Sequence, residues 1–112
     1  MILTNPNLNS IISVIKMDDV HPARMYYNYN NELKSLLPEL ETSRRQENPP
    51  VYYRNGSIYI FRTRTFLKTK KVMSPPRGMF EMSYQTWLNI DDTRDSIIAE
   101  PLVRAWKNGE IK

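Results

Sequence analysis

The sequence contains no cysteine, a single histidine and only three glycines among its 112 residues. Without cysteine the chain cannot form disulfides, use a thiolate nucleophile or bind zinc through sulfur. The lone histidine, His21, leaves no histidine-rich metal site. No apolar run approaches the ~20 residues that cross a membrane. The first residues also lack a basic stretch followed by an apolar one, so we expect no signal peptide, no membrane partner and a cytoplasmic location.

The composition that remains is typical of one globular domain, which we assign to residues 1–112. Hydrophobic residues make up 40% and charged residues 25% of the chain, which argues against disorder. Sixteen Lys+Arg against twelve Asp+Glu give a net charge of +4. This excess suits an anionic ligand, a nucleic acid or an ordinary solvated surface. Because the basic residues are spread along the chain, we expect no nucleic-acid partner.

Hydrophobic patterning predicts a series of short strands. Residues 9–15 are β-branched and apolar on both faces, which is typical of a strand buried in a mostly parallel sheet covered by helices. Residues 57–61 follow the Asn55-Gly56 pair and alternate, which makes them the clearest strand. Further strands are predicted at residues 79–82 and 86–90, with an extended piece at 24–27. The fold class is therefore predicted to be α/β.

Helical and irregular segments complete the pattern. A helix is predicted over residues 63–70, and a last helix begins after Asp91 and Asp92, either of which can serve as its N-cap. Pro101 lies inside that last helix and should kink or split it. Residues 28–50 are polar and rich in proline, and we predict an excursion from the core with one helical turn at 31–37.

Three groups of residues resemble the acylneuraminate cytidylyltransferase (CMP-sialic acid synthetase) family, in an order and spacing that cover nearly the whole chain. The first group is residues 10–14 with 21–25, the second Arg45-Gln46 with 49–60, and the third 89–91 with Asp95 and 98–100. They match the C-terminal half of that family.

The resemblance implies a partial nucleotidyltransferase (Rossmann-like) fold with a mostly parallel sheet and a protruding dimerisation arm at residues 28–50. The family couples CTP to a nine-carbon 2-keto sugar acid with Mg²⁺, giving CMP-sugar and pyrophosphate. The implied partners are a second copy of the chain, a sialic-acid-type sugar and CTP. Sialic, legionaminic and pseudaminic acids all remain open as the sugar.

The resemblance also implies the substrate-binding residues. Arg45 matches an arginine that reaches from the arm toward the partner's sugar carboxylate, and a guanidinium can hold such a planar group bidentately. Arg24 falls at a basic position with a similar task. Tyr59 matches a tyrosine of the sugar pocket, and Met73 lies where relatives place side chains against the sugar's acyl group. From the residues alone, both arginines could be solvated and Tyr59 could pack in a second core layer.

Asn89 and Asp91 correspond to the family's Asp-x-Asp pair, which implies a metal site for Mg²⁺ and a catalytic role for Asp91. Alternate residues at a strand end point the same way, so two such side chains can share one ion. The asparagine brings no charge, which weakens the expected affinity. Asp91 could instead be only a helix cap, and we expect His21 to be structural.

The sequence lacks the family's Gly/Ser/Lys/Arg-rich loop that cradles CTP phosphates, since its glycines are only Gly56, Gly78 and Gly109. We therefore expect this chain alone to make no CMP-sugar. The alternative is a non-catalytic, homo-oligomeric binding or assembly module derived from the same fold.

Overall fold

The computed structural model describes residues 2–112, and the chain divides into two compact units. One unit contains the described residues up to Ile15 together with Tyr53–Lys112, and the other is Lys16–Tyr52. The strands are β1 (Ser10–Met17), β2 (Tyr26–Tyr29), β3 (Glu32–Ser35), β4 (Val51–Phe61) and β5 (Arg77–Met82). The α-helices are α1 (Thr63–Thr69) and α2 (Thr93–Lys107), and single 3-10 turns lie at Pro22–Arg24, Pro38–Leu40 and Arg45–Glu47.

The predicted α/β class is confirmed at the level of a mixed α/β chain. A three-stranded mixed sheet has the order β4-β1-β5, and β1 pairs with β5 in parallel. The central strand β1 is also the most buried, with Ile11 at 1% and Ile15 at 0% exposure. The predicted buried strand at residues 9–15 is therefore confirmed. The strands predicted at 57–61 and 79–82 are confirmed within the longer β4 and β5.

Polar side chains are buried between β1 and its neighbours. The Ser13 hydroxyl donates to Oδ1 of Asn55 at 2.6 Å and accepts the backbone N–H of Ile58 at 2.8 Å. The Ser10 hydroxyl donates to the carbonyl of Ser74 at 2.9 Å. Because buried polar groups are costly unless they are paired, these bonds favour one register of the strands.

The last helix begins as predicted, and Asp92 is its N-cap. The Asp92 carboxylate accepts the backbone N–H of Asp95 at 3.0 Å, and Asp95 accepts the backbone N–H of Asp92 at 3.3 Å. This reciprocal pair is a capping box. Helix α2 runs through Pro101 without a break, so the predicted split is wrong. Pro101 and Ile97 are both exposed, so water can satisfy the Ile97 carbonyl that loses its helical partner.

In the unit Lys16–Tyr52, β2 and β3 form an antiparallel hairpin. Its two-residue turn consists of Asn30 and Asn31, with φ of 52° and 64°. Asparagine tolerates this left-handed conformation, and a turn with positive φ at both central residues matches the twist of a hairpin. The helical turn predicted at residues 31–37 is therefore wrong. The predicted arm, residues 28–50, lies wholly within this unit.

Two further segments differ from prediction. Residues 86–90 form no strand, because the chain turns at Tyr84, whose carbonyl accepts the Trp87 N–H at 3.2 Å. Within this segment the ring of Trp87 packs against Tyr53 and Tyr84, whereas Ile90 is exposed. In the predicted extended piece at 24–27, Arg24 ends a 3-10 turn and β2 begins only at Tyr26. His21 caps that turn, because its Nδ1 accepts the Ala23 N–H at 3.0 Å.

Candidate functional site

The unit Lys16–Tyr52 contains a groove of about 380 Å³, which we call the Arg45 groove. It is lined by Lys16, Met17, Asp18, His21, Arg45, Gln46, Asn48, Pro49 and Pro50. Local structure fixes its walls: Lys16 lies near the end of β1, and Arg45 begins the 3-10 turn Arg45–Glu47. The His21 ring donates through Nε2 to the Pro49 carbonyl at 2.8 Å. Because its other nitrogen accepts from Ala23, both ring nitrogens of His21 serve the backbone, as expected for a structural histidine.

Arg45 contributes a cationic and accessible group to this groove. Its side chain is 66% exposed, and Nη2 lies 2.8 Å from Oδ1 of Asp19. An exposed pair of this kind contributes only about 0–1 kcal/mol, so the guanidinium can exchange partners. With Lys16 on the same groove, two cationic side chains are available to an anion. The sequence pointed to Arg45 but gave no indication of Lys16.

Arg24 lies in the same unit but in different surroundings. Its Nη1 donates to the carbonyl of Glu41 and its Nη2 to the carbonyl of Ser43, each at 2.6 Å. These two bonds hold the backbone between the 3-10 turns, and Arg24 is not among the residues that line the Arg45 groove. The structure thus gives Arg24 a backbone-holding contact, and its predicted role in substrate binding stays a prediction.

The other unit contains a second groove of about 600 Å³ at the start of α2, which we call the Asp91 groove. Asn89 and Asp91 both line it, so the structure brings the two predicted metal ligands to one surface. They lie in the irregular segment before α2 and not at a strand end. The rest of the lining is Tyr53, Tyr84, Gln85, Trp87, Leu88, Arg94, Asp95, Ile98, Leu102 and Ile111.

The three acidic residues at the start of α2 have different tasks. Asp92 and Asp95 are occupied by the capping box, and Oδ2 of Asp95 also accepts the backbone N–H of Asp91 at 3.0 Å. The carboxylate of Asp91 has no hydrogen-bond or ion-pair partner within residues 2–112. The capping role weighed for both Asp91 and Asp92 therefore belongs to Asp92, and the Asp91 side chain is available to a ligand.

The donor chemistry of Asn89 and Asp91 suits a magnesium ion only in part. A carboxylate and an amide oxygen are ligands that Mg²⁺ takes, and the ion usually completes its shell with water and substrate phosphates. Within residues 2–112, no group of three or more His, Cys, Asp or Glu side chains is placed to hold a metal. Any Mg²⁺ on Asn89 and Asp91 would thus depend on oxygens from a bound nucleotide or sugar.

Tyr59 and Met73 line neither groove. Tyr59 lies on β4 and is 40% exposed, and its hydroxyl is 3.7 Å from the position that a Cβ would take at Gly56. Sδ of Met73 accepts a hydrogen bond from Nη1 of Arg54 at 2.8 Å. Within this unit, the structure brings Asn89 and Asp91 together but places Tyr59 and Met73 elsewhere on the surface.

An aromatic cluster beside Asp91 was not foreseen from the sequence. The ring of Trp87 lies 5.4 Å from that of Tyr53 and 6.0 Å from that of Tyr84, measured between centroids. Such tilted pairs stabilise the loop that contains Asn89. The buried indole Nε1 of Trp87 has no hydrogen-bond partner in the described chain. Neither glycine nor proline lies in residues 83–90 to mark the turn, so the apolar run at 86–90 predicts a strand instead.

The sequence was compared with models of protein families and with curated proteins, and neither comparison gives a match. The resemblance to the cytidylyltransferases therefore stays a prediction from the sequence motifs. Among residues 2–112, no helix combines the length and the apolar character needed to cross a membrane.

Proposed function

We propose that the chain is the sugar-binding and dimerising half of a Rossmann-like nucleotidyltransferase. The complete enzyme would couple CTP to a sialic-acid-type nonulosonic acid, giving CMP-sugar and pyrophosphate with Mg²⁺. In this proposal Arg45 binds the sugar carboxylate, and Asp91 with Asn89 contributes to the metal site. The chain alone would be inactive, because it lacks the phosphate-binding loop of the nucleotide half.

The observation that carries the proposal is the placement of Arg45 in a groove. An arginine that is merely solvated at the surface needs no concave surroundings. A binding site for a carboxylate needs a cation beside a cavity that can hold the rest of the ligand. Arg45 has such surroundings and a second cation, Lys16, on the same groove. Its only partner within residues 2–112 is the exposed carboxylate of Asp19. These features fit a site for an anionic small molecule.

The β2–β3 hairpin, which leads into the predicted arm at residues 28–50, supports the dimerising part of the proposal. Its tyrosines are exposed, from 44% for Tyr26 to 60% for Tyr29, and Leu33 is 69% exposed. Aromatic side chains are enriched at protein interfaces because they bury large areas with little loss of rotamer freedom. We therefore expect the chain to be a homodimer, which sedimentation of the purified chain would measure.

Binding of N-acetylneuraminate to the full chain tests the Arg45 site. Replacing Arg45 by glutamine removes charged hydrogen bonds worth about 1.5–3 kcal/mol, so we expect the Kd to rise about 10- to 150-fold. Arg44→Gln removes the same charge from the neighbouring residue, which does not line the groove, and it should leave the Kd nearly unchanged. Equal effects of the two variants would contradict a specific role for Arg45.

The catalytic part of the proposal is tested by pyrophosphate release from CTP. The isolated chain should give none with N-acetylneuraminate, legionaminate or pseudaminate. Turnover should appear when a second polypeptide that carries the family's phosphate-binding loop is added. In that mixture Asp91→Asn should reduce turnover, and Asn89→Asp should increase the apparent affinity for Mg²⁺. Turnover by the isolated chain would refute the need for a second half.

A non-catalytic binding or assembly module is the second candidate, and the glycine positions favour it. Gly56 lies within β4, Gly78 within β5 and Gly109 after α2, so no glycine lies in a loop that leads from a strand into a helix. A dimer that binds none of the three sugar acids would support this candidate over the first.

A further inference from the structure

The carboxylate of Asp19 contacts the guanidinium of Arg45, which in the proposed function binds the carboxylate of the sugar acid. Oδ1 of Asp19 is 2.8 Å from Nη2 of Arg45, and both side chains are mostly exposed, at 74% and 66%. Asp19 belongs to the same unit as Arg45 but is not among the residues that line the groove. Its carboxylate therefore reaches the guanidinium from beside the groove and leaves the cavity open.

A side-chain carboxylate and a sugar carboxylate are the same chemical group to a guanidinium. Arginine holds either through N–H groups arranged in a fixed fork. The contact with Asp19 uses a single nitrogen of Arg45, and the other guanidinium N–H groups have no acceptor within residues 2–112. A ligand that binds both arms of the fork makes two charged bonds in place of one, so it can displace Asp19.

We propose that Asp19 is an internal competitor of the substrate carboxylate for Arg45 and thereby lowers the affinity of the groove for that carboxylate. This inference rests on the proposed function. In the free chain Asp19 occupies the guanidinium of Arg45 from beside the groove. A bidentate carboxylate displaces Asp19, whereas an uncharged sugar cannot, and a monodentate anion gains too little to do so.

The test compares three acidic residues by titrating N-acetylneuraminate into the full chain and fitting the Kd from amide chemical shifts. Asp19→Asn should tighten binding about two- to fivefold, because breaking an exposed ion pair releases roughly that factor. Glu32→Gln breaks a comparable exposed pair, with Lys34 at 2.8 Å in the same unit, and should leave the Kd unchanged. The methyl ester of the sugar, which has no charged carboxylate, should bind weakly to all variants and gain nothing from Asp19→Asn.

The variant Asp18→Asn distinguishes competition for Arg45 from simple repulsion between an acidic side chain and the anionic sugar. It lines the groove but forms no ion pair with Arg45, so Asp18→Asn removes the same charge without freeing the guanidinium. The inference is overturned if Asp18→Asn tightens binding as much as Asp19→Asn does, or if Asp19→Asn has no larger effect than Glu32→Gln. In either case the proposed function still stands if Arg45→Gln abolishes binding of the sugar. Absence of binding by all chains, Asp19→Asn included, would overturn both.

Discussion

Replacing Ser13 by alanine is the sharpest test of how the sheet is held together. The Ser13 hydroxyl is fully buried on the central strand, where it donates to Asn55 at 2.6 Å and accepts from the backbone of Ile58 at 2.8 Å. Alanine fits the same space and removes only the oxygen. The substitution therefore leaves one acceptor and one donor without their partner, and it creates only a very small cavity.

The magnitude follows from the surroundings of the two groups that lose their partner. Asn55 is 6% exposed, so its Oδ1 cannot regain a full bond to water, and an unsatisfied buried group costs about 1–3 kcal/mol. Ile58 lies on β4 and is 36% exposed, so its N–H can be partly rehydrated and its loss lies at the lower end of that range. We expect Ser13→Ala to reduce the free energy of unfolding by about 2–4 kcal/mol in total.

Urea unfolding of the full chain measures this loss from the shift in midpoint at constant m-value. Ser10→Ala is the matched control, since Ser10 is also buried on β1 but makes a single bond, to the Ser74 carbonyl. It should reduce stability by only about 1 kcal/mol. The reasoning is refuted if the two variants are equally stable, or if Ser13→Ala lies within about 0.5 kcal/mol of the native chain, a change typical of a surface substitution.

Three further predictions concern single positions. Gly56→Ala should destabilise the chain by about 1–2 kcal/mol in urea, because φ there is +76° and the added Cβ meets only ordinary contacts. Asp92→Ala should reduce stability by about 1 kcal/mol and lower amide protection in the first turn of α2, whereas Asp91→Ala should do neither. The phenol of Tyr26 donates a hydrogen bond to the Glu41 carboxylate, and this bond, together with desolvation and the repulsion of the Glu41 charge, raises the pKa of Tyr26. The protonated phenol thus contributes stability that is present below the ordinary tyrosine pKa of about 10 and is lost as the pH rises through the raised pKa. Ring ¹³C titration should find that pKa moved back toward its ordinary value in Glu41→Gln.

Elements whose signals are local could be predicted from the sequence. The β-branched run at residues 9–15 allows few alternatives to a buried strand, and Asp92 with Asp95 forms a cap whose spacing is visible in the sequence. The helical turn predicted at 31–37 is wrong because the structure of this segment depends on the Asn30-Asn31 turn of the hairpin. The strand predicted at 86–90 is wrong, and Trp87 packs instead on the ring of Tyr53, a contact across more than thirty residues that periodicity cannot reveal.

For the candidate sites, the sequence predicts the individual residues but not the groups that surround them. Resemblance pointed to Arg45, Asn89 and Asp91, and the structure adds what a motif cannot contain. It shows that Arg45 pairs with Asp19, that Lys16 shares its groove, and that Asp91 is left free by the capping box. The first two depend on how segments distant in sequence pack, which no spacing rule specifies, whereas the third follows from the local cap of α2.

The chain exposes more surface than compact globules of the same mass. A compact monomer of 13.3 kDa would expose about 6,500 Å², and two separate globules with the masses of the two units about 7,700 Å². The chain exposes 8847 Å², and large apolar side chains such as Trp106 at 58% and Met79 at 45% contribute to it. The exposed area is thus roughly 1,200 Å² larger than that of two separate globules. This difference is larger than the ~800 Å² that one partner buries in an interface of standard size. We therefore expect the edge strand β5, which bears Met79, and helix α2, which bears Trp106, to lie at the predicted contact with a second copy of the chain, and protection of their amides from hydrogen exchange on dimerisation would measure it.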